Sequence, residues 1–180
     1  MSRSKILFIT AFLLIAFIFF FTRDAHVSIT HLEKISLSEV IKRSSYILVV
    51  EKQSPFEVIK KIKIHKDTKK YPPFEHAVFY FQVIEELYNK DTQSLKNEKI
   101  KVLPPDLKDR LYLHKKYYLE GSSKSPIYLN YETKADFYKS KKLIIFLGSK
   151  EDGSYLMTVS GGYEKISKKK KIISLIKKLK

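Results

Sequence analysis

The chain has no cysteine and no tryptophan. Without a thiol there are no disulfides, thiolate nucleophiles, zinc knuckles, iron–sulfur clusters or cysteine-linked lipids. A domain of this composition, if exported, has to be stable through burial alone. Five glycines and six prolines in 180 residues are too few for a collagen-like or low-complexity chain. The sequence also lacks an HExxH pair, a glycine-rich phosphate loop and a GxSxG elbow. Carboxylates are scarce as well: 19 Asp and Glu face 35 Lys and Arg, a formal charge of +16. Such an excess fits an anionic partner, whether phospholipid headgroups, an envelope polymer or nucleic acid. For the body as a whole an ordinary solvated lysine surface is the preferred reading.

One long hydrophobic stretch is present. ILFITAFLLIAFIFFF, residues 6–21, is interrupted only by Thr10. Sixteen helical residues span about 24 Å, and Thr22 brings the run to the lower edge of the ~17–25 residues found in spanning helices. Arg3 and Lys5 precede the run, whereas Arg23 and Asp24 cancel behind it. The positive-inside bias then keeps the N-terminus in the cytoplasm and sends the body across. A cleaved signal is the alternative, but a cut after Ala25 or Ser28 places Arg23 or His26 at the −3 position, where a small residue is needed. A third reading makes the run a buried helix of a soluble fold.

Twelve Tyr and twelve Phe predict a β-rich globule with aromatic packing. Ser36-Leu37-Ser38-Glu39 has the spacing of a capping box opening a short helix. Tyr46–Val50 reads as a fully apolar strand, and Val58, Ile62 and Ile64 alternate with lysines on a second run. His76–Tyr88 is the strongest strand, with Ala77, Phe79, Phe81 and Val83 on one face. Lys99–Leu103 is a further strand, and Asp106 could cap a helix through Tyr118. Ile127–Tyr131 is a short strand, and Lys142–Leu147 with Ser154–Val159 is the clearest hairpin. No repeat period appears, and one domain suffices.

SLSEVIKRSSYILVVEKQ (36–53), FYFQVIEELYNKD (79–91) and LIIFLGSKEDGSYLMTV (143–159) resemble the OB-type barrel of the netrin-like and tissue-inhibitor-of-metalloproteinase modules. The resemblance implies a helix leading into a first strand, a strand ending in a turn, and a hairpin with an acidic-glycine loop. It does not extend to protease inhibition, because the N-terminal cysteine through which those inhibitors chelate zinc is missing here.

The five histidines, His26, His31, His65, His76 and His114, show no metal-ligand spacing. Glu85-Glu86 and Glu151-Asp152 are adjacent carboxylates, and neighbours on a strand point to opposite faces. No residue is therefore assigned a catalytic, cofactor-binding or metal-ligating role, and no cofactor is expected. The tail, KISKKKKIISLIKKLK, carries eight lysines between 165 and 180. A helix here places Ile172, Ile173, Ile176 and Leu179 on one side. It offers Lys168, Lys169, Lys170, Lys171, Lys177, Lys178 and Lys180 as contacts for an anionic surface. Docking of the apolar stripe on the body, or a turn at Lys168–Lys171, are the other readings.

The resulting expectation is a mainly β (α+β) protein: an N-terminal transmembrane helix followed by a five- to six-stranded OB-like barrel with two or three short helices. Its segments are a cytoplasmic n-region (1–5), a transmembrane signal-anchor (6–22), a stalk (23–35), an OB-like β domain (36–166) and a basic amphipathic C-terminal helix (167–180). The expected function is a non-catalytic, single-pass, membrane-anchored extracytoplasmic binding or structural domain. Its expected partners are the membrane, and anionic lipid or an envelope polymer through the basic C-terminus. Secretion after signal cleavage is the alternative localisation. The competing functions are an OB-type nucleic-acid binder using Tyr112, Lys115, Lys116, Tyr117 and Tyr118, a partner class that an extracytoplasmic body disfavours, and a hydrolase whose site is assembled from distant residues.

Overall fold

The computed structural model describes residues 31–63, 66–69, 72–105, 127–151 and 153–180. Strand β1 (His31–Lys34) leads into helix α1 (Leu37–Arg43). The Ser36 hydroxyl accepts the Glu39 amide at 3.2 Å and opens the helix. Glu39 does not complete the box by reaching back. Its carboxylate takes the Arg43 Nε proton at 2.7 Å instead. Ser44 ends the helix by donating its hydroxyl to the Val40 carbonyl at 2.7 Å.

Two long strands follow, β2 (Tyr46–Ile62) and β3 (Phe74–Asn89), and they pair antiparallel. Five further strands are β4 (Lys99–Leu103), β5 (Ile127–Asn130), β6 (Lys142–Glu151), β7 (Ser154–Met157) and β8 (Tyr163–Glu164). A 3-10 turn (Ile166–Lys168) and helix α2 (Lys169–Leu179) complete the described residues.

The sheet runs β2-β3-β4-β7-β6-β8, with β4 and β7 parallel and β2 also paired to β6; β1 and β5 form a separate parallel pair. β2 is an unbroken apolar run at its start because both of its faces are buried. Tyr46, Leu48 and Val50 enter an inner core with Phe81, Val83, Val102, Leu143, Ile145 and Leu147. Ile47 and Val49 point the other way, into an outer core with Ile144 and Phe146 that α1 and α2 cover through Val40, Ile41, Ile172 and Ile176. Alternation along a strand delivers both sets.

Past the core the two long strands continue as a ribbon, Glu57–Ile62 paired with Phe74–Phe79. Between Lys52 and Glu57 the register shifts, so four residues of β2 stand against Tyr80 alone. Phe56 from this bulge packs on Phe79 and Phe81, with ring centroids at 5.4 and 5.3 Å.

Residues 131–141 have no regular structure, yet they close the inner core with Phe137, which is 7% exposed. The Asp136 carboxylate holds this segment by accepting the amides of Tyr138 and Lys139 at 3.0 and 2.9 Å. Those bonds, the Lys139 amide foremost, lower the Asp136 carboxyl below its usual range. The side-chain bond from Lys141 does the same to Glu51. A depressed folded-state pKa adds stability above the unfolded value, and that stability is lost as pH falls through the folded one. Thermal melts should therefore fall as the pH drops below about 4. The double variant Glu51→Gln/Asp136→Asn should lose less of its melting temperature over that interval than the unaltered chain.

The fold expectation, a transmembrane helix leading into an OB-like barrel, is corrected. The described residues form a six-stranded sheet with a parallel two-stranded pair beside it. The physical reason lies in β2 and β3, seventeen and sixteen residues long, which run on beyond the other strands as a two-stranded ribbon. Among the described residues no helix is long and apolar enough to cross a membrane. The transmembrane helix, the signal-anchor and the single-pass localisation drawn from them are corrected on that finding. Residues 1–30, which hold the n-region, the apolar run and most of the stalk, lie outside the described residues, as does the helix expected from Asp106. The last part of the stalk is strand β1, paired with β5.

Candidate anionic-partner interface

Helix α2 is where the lysine-rich tail meets the fold. The cap position falls to Lys168, which makes no side-chain bond, after the 3-10 turn. Ile172 is fully buried and Ile176 is 9% exposed, while Leu175 and Leu179 pack against the same outer core. The apolar stripe is thus consumed by the protein's own sheet.

The seven lysines separate into two groups. Lys169 Nζ lies 2.5 Å from a Glu85 carboxylate oxygen and ties the start of the helix to β3. Lys180 Nζ donates to the carbonyls of Lys42 and Ser44 at 3.1 and 2.8 Å and sits over the Tyr88 ring, 4.6 Å from its centroid. Burial lowers its ammonium below the usual lysine value. These two side chains are structural. Lys168, Lys170, Lys171, Lys177 and Lys178 are exposed.

At 100° per residue, Lys170, Lys171, Ser174, Lys177 and Lys178 fall within an arc of about 120° facing away from the core. Two rows result, Lys170 with Lys177 and Lys171 with Lys178, each about 10.5 Å long. No acidic residue occurs in α2 to offset them. The exposed Lys42 and Arg43 at the end of α1 adjoin the far end of this face, next to Lys180.

The arrangement works against the helix. Lys168, Lys169, Lys170 and Lys171 crowd the N-terminus, where the helix dipole already carries partial positive charge. Lys170→Glu should therefore stabilise the protein by ~0.3–1 kcal/mol, read as a higher melting temperature at low salt.

The other candidates from the sequence do not assemble into a site. His76 is 8% exposed, its Nδ1 3.4 Å from the Ala77 carbonyl oxygen, while its neighbour Glu75 pairs with Lys61 at 3.0 Å. His26, His65 and His114, with Tyr112, Lys115, Lys116, Tyr117, Tyr118 and Asp152, lie outside the described residues. Glu85 and Glu86 part company. Glu85 takes Lys169, and Glu86 accepts the Leu95 amide and, at 3.1 Å, the Ser94 hydroxyl. Among the described residues no three His, Asp or Glu come together to hold a metal ion.

A depression of about 310 Å³ lies over the β3–β4 turn, lined in part by Glu86, Asn89 and Asp91. Its polar groups serve the turn itself. Asp91 accepts the hydroxyl of the buried Tyr46, and Asn89 accepts the Asp91 amide at 2.9 Å and donates to the Gln93 carbonyl at 2.9 Å. Burial and the Asp91 carboxylate push the Tyr46 phenol far above its ordinary value, which keeps it a neutral donor. These are the groups of a structural turn. No protein-family model and no curated protein matches this chain.

Proposed function

We propose that the protein is a non-catalytic binding domain that holds an anionic partner against the solvent face of α2. The observation that carries this reading is the quartet Lys170, Lys171, Lys177 and Lys178 on one exposed arc of a helix without a carboxylate. Four exposed lysines held on a docked helix keep their charges at fixed spacing, and repulsion among them is relieved when an anion arrives. Because the apolar stripe faces inward, the contact is electrostatic and weakens with salt. The polar groups around the turn depression are engaged in the turn, which leaves charge as the chemistry this surface offers.

Retention on heparin–agarose tests the reading. The intact protein should elute at clearly higher salt than the variant with Lys170, Lys171, Lys177 and Lys178 all changed to glutamine, with melting temperatures equal or higher in the variant. Elution of both at the same salt would overturn it, because the remaining lysines would then account for all the binding.

A further inference from the structure

We propose that two copies of this chain pair through the distal edge of β2, Glu57–Lys61, antiparallel and centred on Ile59. The pairing is independent of the anionic-partner reading above and goes beyond it.

The edge itself follows from the register. β6 accompanies β2 from Tyr46 and stops where Glu51 stands opposite Lys142. From Glu57 to Ile62 β2 is paired to β3 alone, and among the described residues no strand takes its other edge. The backbone N–H and C=O groups along such an edge are a template for a further strand.

Ile59 marks the side on which that strand is received. Its register partner is Ala77, which packs against the inner core, so Ile59 lies on the inner-core side of the ribbon. It is nevertheless 57% exposed, whereas Val78 and His76 on the opposite side are 2% and 8% exposed. The Val78 side is covered, and the Ile59 side is open. A β-branched apolar side chain in water beside an unpaired edge gains most from a like side chain on a neighbouring strand.

The charges around Ile59 choose the partner. Glu57 and Lys61 stand two residues to either side of it and share its face, where Lys61 meets Glu75 at 3.0 Å. With a second copy antiparallel and Ile59 opposite Ile59, Glu57 of each strand faces Lys61 of the other. Val58 then faces Lys60, whose methylene stem covers it. Parallel pairing would instead set Glu57 on Glu57 and Lys61 on Lys61. Antiparallel registers centred on Lys60 or on Lys61 would set lysine on lysine, and like charges directly opposite are destabilising. The register centred on Ile59 joins acid to base and apolar to apolar, and its two-fold symmetry closes at a dimer. Neither charge has to give up its present partner. Lys61 carries three donors and keeps Glu75, while Glu57 also takes the Tyr138 hydroxyl and has acceptor capacity to spare.

Five residues a side make about 17 Å of new ladder. So small a contact gives a weak dimer that depends on concentration. The formal charge of +16 per chain opposes it at low salt, and physiological salt screens that repulsion over ~8 Å.

Sedimentation equilibrium of the full chain at about 0.15 M salt tests the pairing. The parent should pass from monomer to dimer as its concentration rises toward about 1 mM. Glu57→Lys and Lys61→Glu put like charges at positions 57 and 61, so each variant alone should dimerise about tenfold or more weakly. Mixed in equal amounts, the two variants should associate as the parent does, because the lysines of one then meet the carboxylates of the other. That rescue also reports that both variants are folded. A parent that stays monomeric throughout would overturn the proposal. So would single variants that associate like the parent, or a mixture that associates no better than its components.

Discussion

Ile172→Ala should cost about 2–5 kcal/mol of folding stability, the range for truncating a buried large aliphatic side chain. Ile172 is 0% exposed in the outer core, between α1 and the β2–β6 face of the sheet. Its neighbour Ile173 is half-buried and belongs to neither core, so Ile173→Ala should cost well under half as much. Urea titration separates the two by their midpoints at constant m. The contrast bears directly on what α2 is. A helix that merely lay on the surface, awaiting lipid, would tolerate both substitutions alike, since neither side chain would leave a cavity. Comparable small effects for both would show that the stripe is not part of the core.

Phe137→Ala should cost about 3–5 kcal/mol, the usual range for deleting a buried phenyl ring. Phe137 meets Phe79 at 5.0 Å and Tyr163 at 4.8 Å between ring centroids, and Phe56 at 5.3 Å. The edge-to-face geometry with Phe79 adds to the area it buries. Lys52 stands at the rim of this cluster, donating to the Tyr138 carbonyl at 2.7 Å with its Nζ 4.2 Å from the Phe56 ring centroid. Burial lowers its ammonium below the usual lysine value. Tyr138→Ala, at a ring 63% exposed, should cost far less than Phe137→Ala. A small loss at Phe137 in denaturant titration would mean that 131–141 covers the inner core only loosely.

The elements were legible where one period dominated. Ser36 with a short apolar face gave α1, and alternation through Phe79, Phe81 and Val83 gave β3. The lysine tail read as a helix because its isoleucines recur every three or four residues. Phe137 was illegible, since an isolated aromatic in a polar stretch carries no period, and its burial depends on strands distant in sequence. The length of β2 was hidden too. Gln53-Ser54-Pro55 reads as a break, whereas the strand absorbs those residues as a bulge and continues.

For the candidate site, sequence alone could name the tail lysines but could not sort them. Lys169 and Lys180 differ from Lys170 and Lys177 only through Glu85 and the carbonyls of Lys42 and Ser44, which tertiary folding supplies. Lys99 and Lys101 alternate with Ile100 and Val102, and in β4 both lysines are exposed while Ile100 and Val102 are buried. The pairing of β4 with β3 and β7 was not legible, because strand order is a long-range property.

The four-residue bulge opposite Tyr80 acts as a parity setter for everything distal to it. Removing one residue from Gln53-Ser54-Pro55 would leave Tyr46–Val50 in register with both neighbours while shifting the distal half of β2 by one residue against β3. Ile59 and Lys60 would trade sides, and the protein would keep its interior while presenting a different outward pattern. Length at this one spot thus sets which β2 side chains share a side with Val78 and His76, independently of Tyr46–Val50.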